Sequence, residues 1–346
     1  MDDVQHLRRA FDLARPEHPH PNPRVGAVIV DNSGRVIGEG AHVRPGQDHA
    51  EIVALERAGA AARGATMYVS LEPCNHHGRT PPCVSAMVAA GLGRVVVGVE
   101  DPDPRVAGSG LAALREADVE VAMSPLPDDA RAVDPGYFRH RETGLPAVTL
   151  KYAMTLDGSV AAADGSSRWV SGEESRADAH ELRSAMDAVV VGAGTLRGDD
   201  PLLDVRVGTG VRQPRPIVIA GKQPLPRDAR IWGRDPLVIA PTDFEVPAGD
   251  VAVVSAVDGR PDPIEAARAI ADHGYYDLLL EGGPVLAAAW WHADLIHRGV
   301  AYVAGKIGGG RGVPAFDGVF ASIDDADDVR ITDLRQLGND VRIEFE

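Results

Sequence analysis

Only two cysteines occur in the 346 residues. That is too few for a disulfide framework, and in a reducing compartment a cysteine pair more often serves a metal or catalysis. Cations are scarce too: 35 Lys and Arg stand against 51 Asp and Glu, a formal charge of −16. Such a balance favours solubility and argues against a broad nucleic-acid surface, because phosphate backbones are held by Lys and Arg. A basic pocket for one small phosphate stays open. No apolar run approaches the roughly 20 residues needed to cross a bilayer, so no membrane role is expected. The start, Met1-Asp-Asp-Val-Gln-His6, is acidic and lacks the apolar core of a secretion signal. A cytoplasmic chain is therefore expected. Repeats and low-complexity tracts are missing, and so is a G-x-G-x-x-G at a first strand, which excludes a standard dinucleotide fingerprint.

What is present is a twofold α/β pattern, on a length that favours two domains. Strands are expected at Val25–Asp31 and Val36–His42 around the Asn32-Ser33-Gly34 turn, then at Thr66–Glu72, Arg94–Glu100 and Val119–Met123. Helices are expected at His49–Gly59, Pro82–Ala90 and Leu111–Ala117, the second stopped by Gly91. Residues 124–146 read as a connector between a domain at 1–123 and another at 147–346. The second pattern has strands at Ala147–Thr155, Ala188–Val191, Ile217–Ala220, Leu237–Ala240, Val251–Ser255, Asp277–Glu281 and Val300–Ile307. Helices at Glu173–Met186, Ile264–His273 and Pro284–Trp291 alternate with them, and a hairpin around Gly338-Asn339 ends the chain.

The chemistry concentrates in His49-Ala-Glu51 and in Cys74-Asn-His-His-Gly-Arg-Thr-Pro-Pro-Cys83. One imidazole and two thiolates leave zinc an open position for water, as catalytic sites do and structural sites do not. Cys83 falls in the first turn of a helix, where the dipole favours thiolate. Glu51, one spacer beyond His49, is placed to take the water's proton and hand it to a leaving amine. The order H-x-E … P-C is that of zinc nucleobase deaminases. The bland reading is a buried thiol pair, or a structural site closed by His76 or His77; such a site has no need of Glu51.

Pro21-Asn-Pro-Arg-Val-Gly-Ala-Val-Ile-Val30, His49-Ala-Glu51 and Leu71-Glu-Pro-Cys74 through Cys83 together resemble the bifunctional riboflavin-biosynthesis deaminase/reductase family. Other zinc deaminases place their cysteines as C-x-x-C, whereas eight residues intervene here. The resemblance runs on through Asp101-Pro-Asp-Pro-Arg-Val-Ala-Gly108. It implies a cytidine-deaminase-like three-layer domain that hydrolyses the 2-amino group of a diaminopyrimidinone bearing a phosphoribosylamino group. Asn22, His42, Arg79, Asp101 and Asp103 become the residues for its base, ribose and phosphate. Read alone, Asn22 between prolines is equally a turn residue, His42 a surface side chain and Arg79 a solvated loop cation. Asp103 stands where the family leads one to expect Asn; an anion there lacks the amide donor and repels phosphate.

In the second half, Glu281-Gly-Gly-Pro284 joins a strand to a helix and suits a phosphate, though such a turn is usually only a turn. Thr195 to Arg206 reads as a polar loop or a substrate rim, and Trp169 as a core aromatic. Here too the resemblance assigns roles. Lys151-Tyr-Ala-Met-Thr-Leu-Asp-Gly158, Ser166-Ser-Arg-Trp-Val-Ser-Gly172, Thr195 to Arg206 and Glu281-Gly-Gly-Pro284 look like the reductase half, with a dihydrofolate-reductase-like fold and NADPH. Ala153, Trp169, Thr195, Asp199 and the run Gly283, Pro284, Val285, Leu286, Ala287, Ala288 and Ala289 correspond to the cofactor side. Ser167, Arg183, Leu203, Arg206 and Glu281 correspond to the substrate side, and Lys151 to the group that polarises or protonates the sugar oxygen. Two departures occur: Ala220-Gly221 where Asp-Ser is expected near the adenosine end, and Gly305 where Pro is expected. The implied function is zinc-dependent deamination followed by NADPH-dependent reduction of the ribosyl group, by a homo-oligomer acting on a small molecule. The alternative is a deaminase whose second half only binds nucleotide or mediates assembly; a zinc-stabilised interaction protein comes third.

Overall fold

The computed structural model describes residues 3–76, 82–208, 211–318 and 321–346. The chain divides into two compact units, Met1–Gly144 and Leu145–Glu346.

In the first unit, five strands pair in the order β2-β1-β3-β4-β5: β1 (Gly26–Val30), β2 (Val36–Ala41), β3 (Thr66–Val69), β4 (Arg94–Val97) and β5 (Glu120–Met123). β1 runs antiparallel to β2 and β3, whereas β3, β4 and β5 are parallel. All five residues of β1 are buried, as expected of a strand covered on both faces. Ala27 and Ile29 face a core with α2 (Ala50–Ala58), α3 (Cys83–Ala90) and α4 (Ser109–Glu116). Val28 and Val30 face another, built on α1 (Asp3–Ala14). The result is the expected three-layer α/β/α arrangement. Helix α1 is an addition to the sequence reading, although its buried Leu7, Ala10, Phe11 and Ala14 keep the i, i+3, i+4, i+7 spacing of an amphipathic helix. The stretch 124–146, read from sequence as connector, holds α5 (Pro127–Arg131) and α6 (Pro135–Thr143), which pack into this unit: Ala130 and Val133 join one core, Tyr137 and Phe138 the other. Asp134 caps α6 by accepting from the Tyr137 N–H at 3.2 Å.

The second unit has a nine-stranded sheet, ordered β11-β10-β9-β8-β14-β6-β15-β18-β17. In chain order its strands are β6 (Ala147–Thr155), β8 (Ala188–Gly192), β9 (Arg215–Ile219), β10 (Leu237–Pro241), β11 (Asp250–Val254), β14 (Asp277–Leu280), β15 (Ile296–Ala304), β17 (Ile331–Leu337) and β18 (Asp340–Phe345). Two ribbons stand outside it, β7 (Ser159–Ala161) with β16 (Val313–Pro314) and β12 (Ala256–Val257) with β13 (Arg260–Pro261). From β11 to β15 neighbours are parallel; β18 and β17 add an antiparallel hairpin, turning at Gly338 (φ 60°) as expected. On one face α9 (Pro263–Asp272) and α10 (Pro284–His292) cover Leu278 and Leu280; on the other α8 (Ala193–Asp199) packs near Val189, Val191 and Leu279. Helix α7 (Glu173–Ser184) lays Ala179 against Val300 and Tyr302. Two expectations change. Thr195 to Asp199 is helical, and Trp169 is 60% exposed instead of a core aromatic, with the Arg176 guanidinium 4.7 Å from its ring centre. Of the tryptophan pair, Trp290 is core, while Trp291 packs on Phe316 and Phe345 and donates to Asp327.

Candidate active sites

His49 is the residue that caps α2, Cys83 opens α3, and Cys74 lies in the loop after β3. Their ligand atoms all lie within 4.8 Å of one another. The His49 Nδ1 is 3.2 Å from Cys83 Sγ and 3.6 Å from Cys74 Sγ, and the Cys83 N–H points to Cys74 Sγ at 3.5 Å. The hydrogen bond from Cys83 brings the Cys74 thiol down to about 4, while the Cys83 thiol, sharing that proton and buried, is pushed up. The hydrogen bond to Cys74 also raises the His49 imidazole. One nitrogen and two sulfurs, with a thiolate already favoured, are a donor set that fits zinc with a position left for water. Glu51, on the first turn of α2, is 3% exposed; burial pushes its carboxyl up, with His49 pulling the other way.

The residues expected on the substrate side of the first unit fall in two groups. Asn22 Nδ2 is 3.0 Å from His42 Nε2, and His42 Nδ1 is 3.1 Å from the Asp48 carbonyl. A carbonyl accepts only, so the ring carries its proton on Nδ1 and accepts from the Asn22 amide; burial favours that neutral form by lowering the His42 pKa. The His42 ring stands edge-on to His49 at 5.0 Å, and at 2% exposure it is no surface side chain. Asp101 and Asp103 are both buried, but in opposite states. Burial raises Asp101 to about 6, with the Tyr137 hydroxyl donating to it at 3.0 Å; the Arg105 hydrogen bond lowers Asp103 to about 2. Asp103 is therefore a paired anion, not a bare one. Arg79 lies outside the described residues.

The sequence reading passed over Glu72. Its buried carboxylate accepts backbone N–H groups from Asp101 (3.3 Å), Gly108 (2.9 Å), Gly110 (2.8 Å) and Leu111 (3.3 Å). It thereby ties the Pro73-Cys74 loop to the start of α4, where a Cβ on Gly110 would stand 2.0 Å from the Pro73 carbonyl oxygen. No local signal reveals this, because its donors lie roughly thirty to forty residues away in sequence. Tyr137, hidden in the supposed connector, is a second omission.

In the second unit, Leu280 pairs with Leu150, so the next residues, Glu281 just past the end of β14 and Lys151 within β6, stand side by side. Lys151 Nζ is 3.6 Å from Glu281 Oε2, and Arg183 grips the same carboxylate at 2.5 and 2.9 Å. Burial alone would raise Glu281, but the Arg183 and Lys151 cations outweigh it and hold it at about 2. Arg183 also donates to the Asp204 carbonyl at 3.0 Å, bringing the Leu203 loop beside this group. Leu203 itself is buried, whereas Arg206 is 62% exposed and pairs with Asp204. Ser167 donates to Asp199 at 3.1 Å.

For a dinucleotide, the sheet offers a crevice. β8 and β14 are parallel neighbours, and the helices that follow them, α8 from Gly192 and α10 from Gly283, cover opposite faces. This is the switch-point geometry at which open α/β sheets take nucleotides. Thr195 stands by it, its Oγ1 3.6 Å from where a Gly283 Cβ would be. The α10 set is divided: Val285 is exposed, while Ala287 and Ala288 are buried, Ala287 among the residues of the core. Ala153 is half-buried against Tyr302. Ala220 is buried and, with Gly221, presents no hydroxyl or carboxylate at the end of β9. Gly305 has a steric reason, since a Cβ there would meet Asn339 Nδ2 at 2.3 Å.

Comparison with known proteins agrees on both halves. Residues 146–343 match the RibD C-terminal domain family, and residues 1–99 match the cytidine and deoxycytidylate deaminase zinc-binding region. A riboflavin biosynthesis protein RibD from Mycobacterium tuberculosis is 41% identical over 332 residues, covering 93% of this chain and 91% of that protein. A solved structure of Acinetobacter baumannii RibD superposes with a TM-score of 0.90 at 32% identity, covering 99% of this chain and 98% of that one. A Thermotoga maritima structure described as a diaminohydroxyphosphoribosylaminopyrimidine deaminase/5-amino-6-(5-phosphoribosylamino)uracil reductase gives 0.89 at 29% identity, with 99% and 98% covered.

Proposed function

From the membership of this chain in the RibD family of riboflavin-biosynthesis proteins, we infer how its two sites divide two consecutive reactions. The protein is a bifunctional enzyme, a zinc-dependent deaminase joined to an NADPH-dependent reductase. Its substrate is the phosphoribosylamino-diaminopyrimidinone, first deaminated and then reduced from ribosyl to ribityl. The observation that carries the assignment is the convergence of His49, Cys74 and Cys83 beside the buried carboxyl of Glu51.

In the deaminase, assigned to residues 1–123 with the helices of 124–146 packed onto it, His49, Cys74 and Cys83 hold the zinc. Bound there, zinc lowers the pKa of water to about 7. Glu51 accepts the water's proton and delivers it to the departing amine; its burial keeps its proton affinity high enough to do both. Asn22 and neutral His42 present fixed polar edges to the base, and Asp101 reaches the ribose. In the reductase, 147–346, NADPH supplies hydride. Gly283, Pro284 and Val285 at the start of α10 would hold it, with Thr195, Asp199, Trp169 and Ala153 completing the cofactor side and Leu286 to Ala289 supporting it from the core. Lys151 would deliver a proton to the sugar oxygen. Glu281 keeps Lys151 in place, and Arg183, Ser167, Leu203 and Arg206 form the substrate side. Without a polar side chain at Ala220-Gly221, discrimination between NADPH and NADH is expected to be weak.

A cytoplasmic location agrees with the two unpaired cysteines. A homo-oligomer agrees with the edge strand β17, where Ile331 and Leu334 are 60% and 62% exposed. Among the described residues no helix is long and apolar enough to cross a membrane. Mass spectrometry of the products, with and without NADPH, tests the whole assignment. Replacement of amine by oxygen without NADPH, then a gain of two hydrogens with it, is the expected result. Deamination alone would reduce the second unit to a nucleotide-binding or assembly domain.

A further inference from the structure

Trp169 is a large aromatic left mostly in water, yet the loop that carries it, Ser167 to Gly172, is tied down along its whole length. At its start the Ser167 hydroxyl donates to Asp199 at 3.1 Å, and Arg168 Nη2 donates to the Asp199 carbonyl. The Trp169 carbonyl accepts from Lys306 Nζ at 2.6 Å, and the Val170 N–H turns back to the Ser167 carbonyl at 3.1 Å. The Ser171 carbonyl accepts from Arg176 Nη1 at 2.7 Å, and the same guanidinium lies over the Trp169 ring. The Gly172 N–H closes the loop by donating to Asp340 at 2.6 Å.

The partners are anchored in turn. Arg176 stands near the start of α7, whose capping residue Gly172 has no side chain; Asp340 takes that part from the terminal hairpin, accepting also from the Ser175 hydroxyl at 2.7 Å. Lys306 follows β15, and its carbonyl accepts from the Leu156 N–H at 2.7 Å. Just beyond it the N–H groups of Gly308, Gly309 and Gly310 close on the Asp157 carboxylate at 3.0, 2.8 and 3.1 Å. Asn339, the neighbour of Asp340, packs over Gly305 on the other side of Lys306. An indole in water adds little to the core, so these bonds serve its placement more than stability. Immobilising a free side chain on binding costs free energy, and a ring held in advance spares a flat ligand that cost.

We propose that Lys306 and Arg176 are positioning residues of the reductase, which fix Trp169 in advance as a flat face for the cofactor. Lys306 sets the backbone of Trp169 and Arg176 sets its ring. This rests on the placement of Trp169 on the cofactor side above. It gives the terminal hairpin a part in the second reaction, because its turn braces the Gly172 end of the loop and the Gly305-Lys306 segment together.

The test is calorimetric titration of the full-length enzyme with NADPH, read beside the steady-state KM of the deaminated compound. For K306M and for R176Q, the Kd of NADPH should rise about threefold to tenfold, the size of one side chain's ordering cost. The KM of the deaminated compound should stay the same at saturating NADPH. K306R, which keeps a cationic donor for the Trp169 carbonyl, should recover part of the loss. In a W169A background, K306M and R176Q should add nothing, because both act through the ring. Full additivity there would mean that the two cations act without Trp169, and would overturn the proposal. Unchanged Kd in the single variants would overturn it as well, as would an equal rise in the KM of the deaminated compound, the mark of a general brace. If W169A alone binds NADPH as tightly as the wild type, the cofactor-side placement of Trp169 fails, and this inference with it.

Discussion

Burial pushes up both Asp101 in the first unit and Glu281 in the second, yet the two end in opposite states. Asp101 meets a phenol hydroxyl and a backbone N–H, neutral donors that soften the loss of water without reversing it, so its pKa climbs to about 6. Glu281 meets Arg183 and Lys151, and two cations bring it to about 2. Glu51 follows the first pattern. The deaminase half thus keeps carboxyl groups whose hold on a proton is raised by burial. The reductase half keeps a locked array of charge, suited to aiming a proton donor and receiving an anion while hydride moves. The contrast comes from partners, not from depth.

Removing the zinc breaks the comparison most completely. Chelation should abolish deamination while leaving NADPH-dependent reduction of the deaminated compound unchanged, as a paired assay of the two activities will show. Next in size, Glu51→Gln should cost on the order of a hundredfold to ten-thousandfold in deamination. Zinc content, measured by metal analysis, should stay at the wild-type level; its loss would make Glu51 a ligand. Lys151→Met should slow reduction on the order of a hundredfold or more, with the deaminated intermediate accumulating in the product analysis.

Smaller effects sharpen the contrast. Glu281→Gln leaves two cations without their shared anion and should destabilise the second unit by about 3 kcal/mol in denaturant unfolding. Glu281 is depressed from its ordinary 4.5, so its stabilising contribution is present above about pH 4.5 and is lost as pH falls toward 2. Asp101 has the opposite sign. Raised from 3.8 to about 6, it contributes fully below pH 3.8 and loses that contribution as pH rises through 6. Asp101→Asn should therefore gain stability relative to wild type between pH 4 and 7 in thermal unfolding. A flat difference over that range would mean that Asp101 is ionised throughout.

Much of the fold could be read from residues because its signals are local. The Asn32-Ser33-Gly34 turn, the Gly91 stop and the Gly338 hairpin all use left-handed glycines where an apolar pattern ends. The unforeseen elements are also instructive. Helix α6 carries a capping Asp134, a Pro135 at its first position and Gly144 just after it, signals available in the sequence but outweighed by the polar composition of 124–146. Thr195 to Asp199 looks like loop because Gly and Asp weaken helix propensity, and burial of Leu196 overrides that.

For the sites, the sequence by itself singled out the His49, Cys74 and Cys83 trio that the fold brings together, and Glu51 beside it, because both follow from residue type and short spacing. It also determined two α/β halves and, through its motifs, the family. Tertiary structure alone decided which carboxylates are ionised. Asp103 is an anion because Arg105 and a helix some forty residues away supply cations, and Glu281 because Arg183 and Lys151 reach it from other elements. It alone decided that Glu72 gathers four backbone N–H groups and that α6 packs into the first unit. Charge state depends on distance and solvent access through space, and neither is written in the order of residues along the chain.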